Sequence, residues 1–439
     1  MAMVVKNNMS ALSTLNTLNK NTNALSKSLQ KVSSGMKINS AADDASGYAI
    51  SERMRVQIRS LDQANSNSQN GGSMMKVAEG AVSSTVEILK TLKEKAVNAA
   101  NDTNTDADRQ TIQKELDQSI DQINDNANVT FNGQYLVDGS KNSATKATCT
   151  ALTNQSLGLS TTGSTKLTEL TARNGDKLNI RATDKVTVSW VKDGKTYSCS
   201  MEVKDSTTLS KVFDTLTDGN NKLSTYIDIK NTGSLITVDG SGNTVYTASG
   251  ESALTLVAAK SGIDEQISGF TISITDNTGA VRKSANAALD AFNETLRAQN
   301  TSEDNSINLQ VGTKANQTIK VGLTDMKAQA LGLQGKDNST LQVGNQKQAN
   351  AAINVLDAAI QKALDQQTTI GAVQSRLEYT QSNLTTASEN VTAAESTIRD
   401  ADMAKEMTEY TKNNVLMQAA QSMLAQANQS SSNVLSLLQ

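Results

Sequence analysis

One apolar residue recurs every seventh position near the C-terminal end of the chain, at Ile370, Leu377, Leu384, Val391 and Ile398. Three places after each stands a second and mostly smaller residue: Val373, Thr380, Ala387, Ala394 and Ala401. Seven residues make almost two turns, so the rows form adjacent stripes on one side of a helix about 48 Å long, at about 1.5 Å per residue. Nearly every intervening position is amide, hydroxyl or charged. Burial is thereby confined to the stripe, and the pattern predicts a long partner helix along it.

The same step of seven runs through Met54, Leu61, Ser68, Met75, Val82, Leu89 and Ala96, predicting a second long helix from about residue 50 with one polar place on its seam. Gly71-Gly72 falls in its middle. Each glycine costs a helix up to about 1 kcal/mol, so the pair predicts close approach of another backbone or a local bend. After the turn NDTNTDADRQ, Ile112, Leu116, Ile120, Ile123 and Ala127 predict a third helix folding back antiparallel on the second.

Outside these helices lie two thinner patterns. Over residues 4–32, Leu18, Leu25 and Val32 keep the step of seven, with Leu15 and Leu29 beside them. Beyond Asp402 come Met403, Met407, Val415, Met423, Leu424, Val434, Leu435 and Leu438. Helices this polar are marginal alone in water and are expected to become ordered only when something docks on them. The run SSGMKINSAADDASGYAIS, residues 33–51, separates the first from its neighbour with two glycines and several capping residues, as a connection followed by a helix start would.

Between residues 131 and 138 the pattern turns strand-like, and residues 141–300 then hold seven of the twelve aromatic residues, the only Trp and both cysteines. A separate β-rich domain with its own core is expected there. Val186, Val188 and Trp190 alternate before Asp193-Gly194, and Tyr197, Cys199, Met201 and Val203 alternate after it, which predicts a hairpin with Cys199 packed inward. A short helix is expected at 209–216, strands at 226–229, 235–238 and 270–274, and a helix at 285–297. Leu309 and Val311 before a turn, with Ile319, Val321 and Leu323 after it, predict a second hairpin leading back to the helices; Ile353, Leu356 and Ile360 begin the last long one.

Composition sharpens this outline. Only 3% of the 439 residues are aromatic and 37% hydrophobic, material better suited to elongated helical packing than to several compact cores. There is no Pro to interrupt a helix, and no His. The absence of His excludes Ser-His-Asp, Cys-His and HExxH chemistry outright. A formal charge of −3 gives no basic face for nucleic acid or anionic lipid. No apolar run approaches the roughly 20 residues that span a bilayer, and MAMVVKNNMS lacks a secretory apolar region, so the default compartment is cytoplasmic. Cys149 and Cys199 suggest no zinc site or disulfide framework and are expected to be reduced thiols, a single bridge between them being the alternative.

Asp102, Asn104, Asp106 and Asp108 have the alternate-oxygen spacing of a calcium loop, but Ala107 stands where a Gly is needed and Gln113 where a bidentate Glu is needed. Helix capping accounts for them instead. No phosphate-binding loop, dinucleotide fingerprint or CxxC occurs, and Glu52, Glu79, Glu115 and Glu395 lie on polar helix faces, expected to be solvated. No catalytic residue, cofactor or metal is expected. Two marginal ends around pairable helices are most simply surfaces buried by neighbouring copies.

The chain resembles the bacterial flagellins at both ends. ALSTLNTLNKNTNAL, KVSSGMKINSAADDASGYAISERMRVQIRSL and FNGQYLVDG carry the likeness in the first 140 residues, and GAVQSRLEYTQSNL, IRDADMAKEM and MLAQANQSSSNVLSLLQ in the last 90. LQVGTKANQTIKV followed by ALGL resembles the family's hairpin beside the helical core. The expected fold is α+β and multidomain, a long antiparallel coiled-coil bundle built from both termini with an inserted β-rich outer domain. The resemblance implies terminal helices at 1–43 and 402–439 forming a filament core, a helical bundle with the hairpin at 44–140 and 301–401, and a variable surface domain at 141–300.

In that scheme Met54, Leu61, Met75, Val82, Leu89, Ile370, Leu377, Leu384, Val391 and Ile398 form the seam within one subunit. Leu15, Leu18, Leu25, Leu29, Val32, Val415, Met423, Leu424, Val434 and Leu435 serve polymerisation. The implied function is the self-assembling filament subunit of a swimming flagellum. The alternatives are a hook-filament junction or cap protein of the same apparatus, a non-flagellar coiled-coil adhesin, for which a membrane anchor would be expected, and an enzyme on a filament scaffold. Implied partners are other copies of the chain, an export chaperone, and cap and hook-junction proteins. Export unfolded through the flagellar type III apparatus would change the compartment to extracellular without a cleaved signal. The family's site for a vertebrate Toll-like flagellin receptor lies on a run like LQRVRELAV. The corresponding run here is LKTLKEKAV at 89–97, placing Leu89, Thr91, Lys95 and Glu115 at it, with Thr91 and Lys95 replacing an Arg and a Leu. Weak activation is the implied consequence.

Overall fold

The computed structural model describes residues 8–218, 221–230, 235–246 and 254–437, with the backbone alone at 218, 221 and 431–437. Its helices are α1 (Met9–Ser34), α2 (Ala45–Ala99), α3 (Asp106–Ala127), α4 (Leu209–Thr215), α5 (Leu223–Tyr226), α6 (Lys283–Leu289), α7 (Gln346–Arg399) and α8 (Met403–Leu437). Polar side chains begin the long ones. The Asn8 side-chain oxygen Oδ1 accepts from Ala11 N at 3.0 Å, Asp44 from Gly47 N at 3.0 Å, Asn345 from Gln348 N at 2.9 Å, and Asp402 from Ala404 N at 3.0 Å. Each satisfies a backbone donor that a helix start leaves open. Thr105 and Asp108 form a reciprocal capping box on α3, and Asp106 pairs with the buried Arg109 at 3.0 Å. Two of the four residues with calcium-loop spacing, Asp106 and Asp108, thus sit in the first turn of this helix, with Asp108 a partner in the cap rather than the cap itself, while Asn104 donates back to Asn98 O at 2.6 Å.

The chain divides into two compact units, the first comprising residues 1–68, 310–317 and 379–439. In it α1 and α8 run antiparallel. Asn8 donates to Ala427 O at 3.3 Å, Asn21 to Leu416 O at 3.2 Å, Asn413 to Ser28 Oγ at 3.1 Å, and Lys31 pairs with Glu406 at 3.4 Å. The opening part of α2 pairs with the closing part of α7 through Leu61, Ala64 and Leu384, with Ala387 and Val391 packed against them. Glu395 accepts from Arg55 at 3.0 Å and Asp62 from Ser388 at 3.0 Å, so Glu395 is an interhelical rung rather than a solvated carboxylate.

The second unit comprises residues 69–309 and 318–378. Here the rest of α2, α3 and the first part of α7 bury Met75, Val82, Leu89, Leu116, Ile120, Ile123, Ile370 and Leu377. Gln374 donates to Glu79 at 2.8 Å, a rung that puts Met75 and Val82 level with Leu377 and Ile370, within a residue, on antiparallel helices. Gly71 is buried where an added Cβ would lie 2.7 Å from Leu309 Cδ1. What demands glycine is therefore a neighbouring side chain, not a backbone.

The strands are β1 (Thr130–Phe131), β2 (Gln134–Tyr135), β3 (Ala151–Asn154), β4 (Lys185–Lys192), β5 (Lys195–Glu202), β6 (Thr217–Asp218), β7 (Asn221–Lys222), β8 (Ile227–Lys230), β9 (Leu235–Val238), β10 (Thr244–Tyr246), β11 (Leu254–Ala258), β12 (Ile267–Thr275), β13 (Phe292–Leu296), β14 (Ile307–Gln310) and β15 (Thr318–Val321). β12-β4-β5 and β13-β3-β11-β8 are the larger sheets, and β14-β15 is the second expected hairpin. The β4–β5 turn places Asp193 at φ 52° and Gly194 at φ 70°, and Cys199 is buried as its alternation implied. No disulfide joins Cys149 and Cys199. The helix expected at 285–297 is wrong in its second half: α6 ends at Leu289 and β13 follows. Phe292, Glu294 and Leu296 alternate as a strand, and pairing with β3 from Phe292↔Asn154 to Leu296↔Ala151 outweighs their local helix preference.

Candidate functional site

The surface of interest is the outside of the α1–α8 pair. The residues buried between these helices are small: Ser28, Ala420 and Ala427. Small residues let the two backbones approach closely, and they leave the larger apolar side chains outside. Leu15 is 41% exposed, Leu29 52%, Val415 60% and Met423 64%. Leu18, Leu25, Val32 and Leu424 are half-buried. The side chains of Val434 and Leu435 lie outside the described residues, as do Val4 and Leu438 altogether. Leu12, Met403, Met407 and Leu416 are also exposed, extending the apolar surface. Leu12 does not fall on the seven-residue step of the first helix, and Leu416 adjoins Val415 in the tail.

Of the seam residues, Leu61, Met75, Val82, Leu89, Ile370, Leu377 and Leu384 are buried, while Met54, Val391 and Ile398 are half-buried. These last three approach a polar joint that periodicity did not reveal. The Arg399 side chain is 6% exposed and donates to Glu52 at 2.6 Å and Ser51 Oγ at 3.4 Å. Its guanidinium also stands 5.4 Å from the centre of the Tyr48 ring. Ion pairing holds the Glu52 carboxyl below its ordinary range, chiefly through the Arg399 hydrogen bond. Backbone bonds from Lys37 N to Arg399 O at 2.7 Å and from Ala401 N to Gly35 O at 2.9 Å tie the connections after α1 and before α8 together. Glu52 is thus another rung, although its side chain keeps 37% of its surface in water. The one sequence signal is an Arg as the last residue of a polar helix.

At the site expected to meet a receptor, Leu89 is fully buried in the seam, which leaves Thr91 and Lys95 of the run, with Glu115 of α3, accessible at the surface. Lys95 and Glu115 pair with each other at 3.0 Å. Among the described residues no group of three or more acids or cysteines could hold a metal ion, and no helix is long and apolar enough to cross a membrane.

Residues 5–142 match the bacterial flagellin N-terminal helical region, and residues 353–438 the C-terminal helical region. The flagellin of Clostridium tyrobutyricum is 35% identical over 97% of this chain and 99% of its own length. The chain belongs to the bacterial flagellin family. The Bacillus subtilis flagellin is 31% identical over 99% of this chain and the whole of its own. As a flagellin it is a structural protein of the flagellar filament and not an enzyme. Among solved structures, the flagellar hook associated protein-3 of Legionella pneumophila aligns over 78% of this chain and 97% of its own, at 14% identity and a TM-score of 0.34, too slight a likeness to bear on which flagellar component this is.

Proposed function

We propose that this flagellin polymerises through the outer faces of α1 and α8 into the extracellular filament that drives swimming. The observation that carries this is the inversion of the α1–α8 pair, with small residues inside and Leu15, Leu29, Val415 and Met423 outside. Burying what remains exposed of one such side chain stabilises by roughly 1–2 kcal/mol, and a neighbouring copy can recover that repeatedly along the pair. Residues 1–43 and 402–439 then form the inner core, 44–140 and 301–401 the shell around it, and 141–300 the surface. Unfolded export through the type III apparatus, with chaperone, cap and hook-junction partners, is part of the same proposal, and family membership supports it. Deleting residues 403–439 is expected to abolish polymerisation while hydrogen exchange of β4, β5 and β12 stays unchanged. Filaments of the truncated protein in electron micrographs would overturn the assignment.

Activation of a vertebrate flagellin receptor is proposed to be weak. Thr91 and Lys95 offer neither guanidinium nor apolar contact, and Lys95 already occupies the Glu115 carboxylate. Reporter cells responding as strongly as to an enteric pathogen's flagellin would refute this.

A further inference from the structure

Met36 lies in the joint of the first unit, half-buried, and two guanidiniums converge on its thioether. Arg399 Nε donates to Sδ at 3.2 Å, and Arg55 Nη2 approaches it at 3.9 Å. Both arginines are anchored from behind, Arg399 by Glu52 at 2.6 Å and Arg55 by Glu395 at 3.0 Å. The backbone of Met36 itself forms a bridge with Asp400. A thioether is a weak acceptor, so it satisfies these two charged donors poorly. A sulfoxide oxygen is a strong, polar acceptor at the same place.

We propose that Met36 is an oxidation site whose sulfoxide is received by Arg399 and Arg55, so that a peroxide tightens the joint between residues 35–37 and 399–401. A sulfur lone pair attacks one oxygen of hydrogen peroxide. The S–O bond forms, the O–O bond breaks, and hydroxide leaves. The hydroxide takes the proton from the new S–OH group and becomes water. Sulfur loses two electrons and the peroxide gains them. The exposed Met9, Met403, Met407 and Met423 are open to the same oxidant, but among the described residues no guanidinium is bonded to their sulfurs. At those places oxidation adds polarity without a receiver.

Lys37 is exposed and follows Met36 directly, so tryptic cleavage after Lys37 reports opening of the joint. The full chain, kept dilute enough to remain monomeric, is treated with hydrogen peroxide, cut with trypsin for a limited time and mapped by mass spectrometry. Sulfoxide is expected at Met36, and cleavage after Lys37 is expected to slow by roughly tenfold, the lower end of what one added charge-assisted hydrogen bond contributes. Met36→Gln, whose amide oxygen can accept from the same donors, should be slow without peroxide and unresponsive to it. Met36→Leu should be cut faster than the parent and also not respond. The proposal is overturned if Met36 stays a thioether after Met9 and Met423 are converted, if its oxidation speeds cleavage, or if Met36→Leu slows with peroxide as the parent does.

Discussion

Gly71 and Gly72 are neighbours on α2, and the structure assigns opposite outcomes to the same substitution at each. Replacing a helix-interior Gly with Ala ordinarily stabilises by about 1 kcal/mol, because alanine has less backbone freedom to lose. At Gly72 nothing lies within 4 Å of the added Cβ, so Gly72→Ala should realise most of that gain. At Gly71 the Cβ would stand 2.7 Å from Leu309 Cδ1 and 3.4 Å from Cδ2. The first distance is about 0.8 Å short of an ordinary carbon–carbon contact, so Leu309 must leave its rotamer or α2 must shift. Overpacking of this kind costs about 1–3 kcal/mol, which cancels the helix gain or exceeds it. Gly71→Ala should therefore be neutral to about 2 kcal/mol destabilising, and the two variants should differ by about 1–3 kcal/mol.

Urea unfolding gives the global difference, and amide exchange across residues 69–76 shows whether it is local. Adding Leu309→Ala supplies the decisive control. With the methyl groups gone, Gly71→Ala should become stabilising, giving a double-mutant coupling of about 1 kcal/mol or more, whereas Gly72→Ala should show none. If Gly71→Ala stabilises as much as Gly72→Ala, or if the coupling with Leu309 is zero, close approach of that side chain is not what requires glycine.

Leu89 is completely buried, and Leu89→Ala should cost about 2–5 kcal/mol of unfolding free energy in urea, against less than about 0.5 for Tyr379→Ala at an exposed place. Asp290, which accepts a backbone hydrogen bond from Ile272, is pushed up to about 6 by desolvation. The folded state then holds more protons than the unfolded one between about pH 4 and 6, so this group's penalty is full above 6 and relieved as pH falls. Asp290→Asn should stabilise by about 1 kcal/mol at pH 7.5, after discounting for solvent screening, and by nothing near pH 3.5. Lys362 donates to Ala330 O at 2.7 Å and is lowered to about 8 by burial, against the raising effect of Asp325 and Glu294. The unfolded state holds the extra proton between pH 8 and 10.5, so stability contributed here rises with pH across that window. Lys362→Met should flatten that rise in a pH series of melting curves.

Periodicity alone located α2, α3 and α7, because a step of seven in a polar background leaves one stripe to bury and only another helix can bury it. It also placed Cys199, since alternation about Asp193-Gly194 fixes which side chains face a sheet's core. It misjudged the segment after Leu289 because Phe292 to Leu296 takes its conformation from β3, about 140 residues earlier in the chain. Such long-range pairing leaves little local trace. The Arg399 joint was hidden for a related reason. Its partners Ser51, Glu52 and Tyr48 are ordinary polar helix residues until the antiparallel register brings them beside the end of α7.

The outer helices show the remaining limit of periodicity, and a contrast of two substitutions tests it. A stripe tells which residues share a face but not whether that face meets the nearest helix or a neighbouring molecule. In α1–α8 the fully buried members are Ser28, Ala420 and Ala427, so close approach depends on smallness there, while Leu15 and its like are exposed. Ala420→Leu should force the helices apart, costing about 1–3 kcal/mol of pairing and reducing monomer helicity by circular dichroism, although it adds apolar surface. Leu15→Ser should leave monomer helicity unchanged and raise the critical concentration for polymerisation measured by sedimentation, since the 41% of Leu15 left exposed for a neighbour to cover is worth roughly 1 kcal/mol of intermolecular burial at each subunit. If instead Leu15→Ser unravels the monomer and Ala420→Leu is silent, the apolar stripe faces inward and the proposed assembly surface is on the wrong side of the pair.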